Sequence, residues 1–181
     1  MKNEGATQND VFTPVNADSL RRAMRRFASG VTIVTSQHNA EAVGITVSAF
    51  SSISLDPPVV MISINRASSA APVILNAESF AVHILSSEQE MLSVRFAESL
   101  PWEEKLGNST SMTGLTGIPI LSEAFTAIEC WLINAITIGT HSVMFGQVVG
   151  IYLHETTPET PLLYYDQNYR TLDRIPEDPT D

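Results

Sequence analysis

Two clusters of small hydroxyl residues are the places where this chain could do chemistry. Thr46, Ser48, Ser51, Ser52 and Ser54 fall in and just after one apolar stretch, and Ser63, Asn65, Arg66, Ser68 and Ser69 close another. In a buried strand, alternate Ser and Thr commonly pack against neighbouring backbone, which is the plainer account of the first cluster. The second cluster sets one guanidinium among hydroxyls and backbone N–H groups, just ahead of a short helix. Charge-assisted hydrogen bonds and a helix N-terminus together can hold a phosphate, although Arg-Ala-Ser-Ser is also an ordinary helix entry. His141, with Thr140 and Ser142 beside it, offers further hydrogen-bonding groups at a turn, or simply completes that turn.

Other chemistries find less support. None of His38, His83, His141 and His154 is paired at metal-ligand spacing, and no HExxH occurs, so no metal is expected. The single Cys130 excludes an intrachain disulfide and a cysteine-based zinc site, and its apolar surroundings suit a buried thiol. No GxSxG elbow is present, and the acidic pair Glu103-Glu104 reads as solvated surface.

The elements that must position these residues can be read from periodicity. Asp18 or Ser19 can cap a helix with Leu20, Met24 and Phe27 on one side and Arg21, Arg22, Arg25 and Arg26 on the other, ending at Gly30. The arginines suit a solvated face near a helix C-terminus, or an interface or anion-facing patch. The β-branched run 31–35 predicts a strand, and 43–50 a second that continues extended to 55. Asp56-Pro57-Pro58 breaks it, and 59–64 is an apolar strand. A polar loop, 65–69, leads to a short helix over 72–77, in which Pro72 fits only the first turn. The run 80–85 is the next strand. Ser87 and Glu90 have capping-box spacing for a helix to about Ala97. Residues 98–118 read as irregular, with a mobile loop over 107–117. Strands over 127–138 and 143–153 flank a hairpin tip at 139–142, and 162–165 forms a last short strand. Many strands without βα alternation, and no GxGxxG or GxxxxGK[ST], argue against a Rossmann sheet. The pattern suits an antiparallel, mostly β barrel with helices at its ends.

The 181 residues suggest one domain, with 44% apolar residues to build its core and only 17% charged residues. Such light charge leaves surface to cover in an oligomer. The net charge of −10 argues against nucleic acid as a partner. No apolar run is long enough for a spanning helix, so no membrane association is expected. The polar start shows no signal peptide, and a soluble, cytoplasmic protein is expected. The expected organisation is a flexible lead-in over 1–17, a domain over 18–173 and an acidic tail over 174–181.

Several motifs, in order, resemble those of the short-chain flavin reductases, the reductase components of two-component flavin-dependent monooxygenases. They are Arg26-Phe-Ala-Ser-Gly-Val-Thr-Ile-Val-Thr35; Gly44-Ile-Thr-Val-Ser-Ala-Phe50 running on to Pro58; Phe80-Ala-Val-His-Ile-Leu85 with Arg95-Phe96-Ala97; Gly139-Thr-His-Ser-Val-Met-Phe-Gly-Gln-Val148; and Pro161 to Tyr169. The resemblance spans residues 18–173. It implies an FMN-binding split β-barrel with peripheral helices, usually a homodimer, that takes FMN or FAD and uses NADH or NADPH as hydride donor.

By that resemblance Thr46, Val47, Ser48 and Ala49 would line the isoalloxazine and ribityl groups. Ser63, Asn65, Arg66 and Ser69 would hold the phosphate side. His83, Arg95, Phe96 and Tyr169 would approach the cofactor, and His141 would be the catalytic hairpin histidine at the nicotinamide. Thr140 stands where the family commonly has Asp, and His83 where it has Asn. The implied function is reduction of flavin for a separate oxygenase. The protein would supply stacking, orientation and dryness rather than an acid or base. The competing readings are a split-barrel oxidase or oxygenase that retains its flavin, and a non-catalytic flavin or haem carrier.

Overall fold

The structure, a computed structural model, describes residues 14–153 and 160–172. His154, most of the expected lead-in and the acidic tail lie outside the described residues. The chain opens with α1 (Ala17–Met24), which begins earlier than the sequence suggests. Asn16 is its cap, and Asn16 and Ser19 satisfy each other's backbone N–H groups reciprocally. The helix stops at Met24 rather than at Gly30, and β1 (Ser29–Gly30) follows. The β-branched run forms β2 (Thr32–His38). A tight turn at Asn39-Ala40, both with positive φ, leads into β3 (Glu41–Val47). Ser48-Ala49 then divides the expected second strand into β3 and β4 (Phe50–Leu55), and β5 (Pro58–Asn65) lies beyond the proline break.

The polar loop feeds α2 (Ala70–Ala77), followed by β6 (Ser79–Ile84). The next capping box is made by Ser86 and Gln89, one residue ahead of the expected pair. It opens a 3-10 turn before α3 (Glu90–Ala97). The stretch expected to be irregular contains α4 (Trp102–Leu106) and a hairpin of β7 (Ser111–Thr113) with β8 (Pro119–Leu121). The long pair is β9 (Thr126–Ile138) and β10 (His141–Leu153). A small hairpin of β11 (Leu163–Tyr165) and β12 (Asn168–Arg170) pairs with β1.

Seven strands form one antiparallel sheet in the order β3-β2-β6-β9-β10-β5-β4. Its two outermost strands, β3 and β4, are consecutive in the chain and joined only by Ser48-Ala49. The sheet must therefore curl until its edges meet at the Ser48-Ala49 corner, where Ser63 N–H of β5 donates to Ala49 O at 3.0 Å. The barrel is split elsewhere. β6 pairs with β9 only as far as Trp131, and β5 pairs with β10 only over His141–Gln147. Among the described residues the outer half of β9 therefore has only the first half of β10 as a strand neighbour, and the last residues of β10 have only the first half of β9. The expected antiparallel split barrel is the observed fold.

The interior is filled by Val34, Ile62, Phe80 and Met144 from the sheet and by Ala70, Ala71 and Ile74 of α2, which plugs the barrel. Each fully buried Ile or Phe contributes about 1.5–3 kcal/mol relative to exposure. A second cluster joins Ile33 and Leu85 to Leu92 and Phe96 of α3. Glu129 is a fully buried carboxylate that ties the hairpin loop down. It accepts from Leu115 N–H at 2.9 Å, from Thr116 N–H and hydroxyl, and from Tyr152 hydroxyl at 2.7 Å. Burial alone would raise its pKa, but these donors hold it below the usual carboxylate value.

Candidate functional site

Strand β3 runs between two clefts. Gly44 and Ile45 border one with Asn65, Ser68, Ser69 and Phe96, a cleft of about 480 Å³. Ser48 and Ala49 border the other with Met24, Phe27 and Tyr164, of about 590 Å³. The separation of Gly44 and Ser48 along the strand is roughly 13 Å at ordinary strand rise.

The first cleft is polar because of the turn at its mouth. Asn65 Oδ1 accepts from Ala67 N–H at 3.0 Å, and Ser68 Oγ accepts from Ala70 N–H at 3.2 Å, so these two side chains shape the turn itself. Ser69 stands at the N-cap of α2 without a capping bond, which leaves its hydroxyl available. Arg66 is exposed and makes no ion pair among the described residues; its backbone N–H donates to Thr140 O at 2.9 Å. That bond joins the turn to the β9–β10 tip, and His141 pairs in register with Asn65. Thr140 Oγ1 and His141 Nδ1 lie 3.0 Å apart, leaving Nε2 as the uncommitted ring nitrogen.

The second cleft has apolar walls with charged groups at the rim. The sequence places Met24 and Phe27 on one side of a helix, without saying what they face. In the structure α1 buries nothing, and these two side chains stand 53% and 66% exposed on the cleft. The β11–β12 turn docks on the end of α1, where Asp166 N–H donates to Arg25 O at 3.0 Å. With the Gln167 amide oxygen facing Arg25, the guanidinium donates to it at 2.9 Å. Arg21 pairs with Asp18 in solvent.

The structure gathers some of the expected residues and sets others aside. Ser48, Ala49, Asn65 and Ser69 line the clefts, with Ser63 half-buried between them. Val47 turns its side chain into the core and offers only backbone. Thr46 Oγ1 donates to Ser93 O at 2.6 Å. His83 cannot meet a cofactor as expected. It is fully buried, its Nδ1 lies 3.0 Å from Ile33 O, and its Nε2 accepts from Leu121 N–H at 3.0 Å. Burial lowers its pKa to about 4, against a smaller opposing effect of the Ile33 bond, so the ring is neutral. Arg95 is also diverted: its guanidinium donates to the carbonyls of Lys105 and Leu106 at 3.0 and 3.2 Å. Phe96 is buried behind the polar cleft, edge-on to Trp102. Tyr169 bonds Ser93 Oγ at 2.8 Å and packs edge-on against Tyr164, a wall of the apolar cleft.

Comparison with known proteins agrees with this architecture. A family model described as flavin reductase like domain matches residues 24–173. The chain belongs to the flavin reductase-like family. The FMN reductase (NADH) RutF of Escherichia coli strain 55989 is 33% identical over 160 residues, 88% of this chain and 96% of that protein. The crystal structure of a nitrilotriacetate monooxygenase component B homolog from Mycobacterium thermoresistibile superposes with a TM-score of 0.82 at 29% identity, over 91% of this chain and 90% of that one. The flavin reductase HpaC, solved in complex with NADP+, gives 0.79 at 32% identity over 87% and 98%.

Sequence reading missed three contributors to these flavin reductase-like clefts. Tyr164 and Phe27 join the apolar cleft from opposite ends of the chain, and no spacing announces that. Lys105 lies in the wall of the polar cleft while only 8% exposed; it sits in a five-residue helix too short for periodicity to reveal.

Proposed function

We propose that this flavin reductase-like protein reduces FMN or FAD with NADH or NADPH and passes the reduced flavin to a separate oxygenase. The observation that carries the reading is β3 itself, with a polar, hydroxyl-lined cleft beside its middle and an apolar, aromatic-walled cleft just past its end. That arrangement fits a molecule with a phosphate on one side and a flat ring on the other. The residues present suit a flavin: among the described residues Ser69 makes no capping bond and Arg66 no ion pair, and Ser48-Ala49 lie beside apolar walls.

In this reading Asn65 and Ser68 hold the turn, Arg66 and Ser69 bind the phosphate, and Ser63 lies along the connecting arm. Thr46 to Ala49 line the ring largely with backbone and small side chains. His141, with Nε2 free at the adjoining tip, orients the nicotinamide nucleotide. A bound flavin supplies the chemistry by accepting hydride from the reduced nicotinamide; the chain's task is orientation and exclusion of water. No acid or base with a tuned pKa is needed. The named relatives, an FMN reductase (NADH) and a monooxygenase component, support this assignment.

The reductase acts as a homodimer in this proposal, built from residues 18–173. The outer part of β9, which has β10 on one side and no strand on the other among the described residues, carries Ile133, Ile136 and Ile138, at 53%, 42% and 60% exposure, an apolar surface that a second copy would cover. The net charge gives it no affinity for nucleic acid, and among the described residues no helix is long and apolar enough to cross a membrane. We assign it to the cytoplasm. Steady-state oxidation of NADH and of NADPH with FMN, FAD and riboflavin in turn tests the function. Flavin bound tightly without nicotinamide oxidation would replace it with a carrier role.

A further inference from the structure

Lys105 has no place in the function so far, yet it is among the least usual residues in the molecule. Its ammonium is buried and donates to Gly44 O at 2.8 Å and to Phe96 O at 3.4 Å. Among the described residues no carboxylate lies within 4.0 Å of it. An ammonium taken from water without a counter-charge is costly, and burial pulls its pKa below the usual lysine value. The third ammonium donor has no partner among the described residues.

Its position is specific. Gly44, Phe96 and Lys105 together form the inner corner of the polar cleft whose mouth is Asn65, Ser68 and Ser69. The same Lys105, with Gly44 and Ser69, also borders an adjoining cleft of about 510 Å³. The site is held from behind: Arg95 fixes the Lys105 carbonyl, and a Cβ at residue 44 would overlap the Phe96 ring. Glu98 in the polar cleft and Glu41 and Glu103 in the adjoining one are exposed to solvent. A buried cation kept in the wall of a cleft whose acids face solvent and do not pair with it fits an anion that arrives with the ligand.

We propose that Lys105 is the counter-charge for the flavin phosphate, seated behind the Asn65–Ser69 turn. This rests on the flavin-binding reading above. It makes Lys105 a binding residue selective for phosphorylated flavin over riboflavin, in addition to its hold on two carbonyls.

The test is equilibrium binding of FMN and riboflavin, by flavin fluorescence, to the wild type and to Lys105→Met, with the fold of each checked by thermal unfolding. Lys105→Met is expected to weaken FMN about 10- to 100-fold and riboflavin less than threefold. Equal losses for both flavins, or no loss of FMN, would overturn the proposal and leave Lys105 as a clip between α3, α4 and β3. A second measurement does not depend on the variant folding. Across the alkaline range in which Lys105 of the unliganded protein loses its proton the phosphate is fully ionised, so binding of FMN but not riboflavin to the wild type should take up protons onto Lys105. Calorimetry in buffers of different ionisation enthalpy reads that uptake, and its absence would overturn the proposal. A wild type that binds neither flavin would instead remove the functional reading beneath it.

Discussion

His141 and His83 show how differently two histidines in one small barrel can be employed. His141 stands at a hairpin tip with one ring nitrogen uncommitted, beside the turn that carries Arg66. Its assigned role is to orient the nicotinamide nucleotide, so His141→Ala should leave the flavin Kd within about twofold. The kcat/KM for NAD(P)H should fall roughly 10- to 100-fold, about 1.4–2.7 kcal/mol of transition-state stabilisation. Unchanged kinetics in a folded variant would reduce His141 to turn chemistry. His83 is engaged at both nitrogens and neutral, with a pKa of about 4 against 6.5 for the free side chain. The unfolded chain therefore takes up the proton first. His83 contributes fully to stability above about pH 6.5, and that contribution is lost as pH falls through about 4, by about 3 kcal/mol. Urea titrations at pH 7.5 and 4.5 should show this loss, and His83→Asn should flatten it. Glu129 acts lower, because its carboxyl stays ionised below the usual carboxylate value.

Among the elements, β3 has the tightest tolerance. The rings of Phe96 and Trp102 lie directly over Gly44, and an added Cβ would come within 3.2 Å of Trp102 and overlap Phe96. Gly44→Ala should push α3 and α4 outward and cost about 1–3 kcal/mol, read as a lower denaturant midpoint at constant m-value. A stability unchanged from wild type would mean the helices move freely. The sheet strands were legible because β-branched runs and the Pro57-Pro58 break leave a strong local signal, as did the Asn65–Ser69 turn before α2. The 111–121 hairpin was not, because Ser, Thr and Gly in a short strand read as loop until Pro119-Ile-Leu121 pairs with it. Lys105 and His83 were illegible for a different reason. Their partners lie 61 and 50 residues away in the chain, and only barrel closure brings them together. The apolar stripe of α1 was legible, but what it faces was not, since periodicity does not say what covers it.

For the whole molecule, light charge and the unpaired β9 edge both point to a second copy. Sedimentation at micromolar concentration should report a dimer, and Ile136→Glu with Ile138→Glu should shift it to monomer; a monodisperse wild-type monomer would refute the assembly. The seam at Ser48-Ala49 has a consequence for refolding kinetics. The strand that lines the flavin clefts is the one that closes the barrel, so no partly assembled barrel contains a complete site. Flavin at a hundredfold excess over its Kd should add about 2.7 kcal/mol to the stability of the folded chain. That gain should appear almost wholly as slower unfolding, with the refolding limb of the chevron unmoved, because the transition state has no finished cleft to bind. Faster refolding in FMN would mean that the seam forms early, before the rest of the sheet has gathered around it.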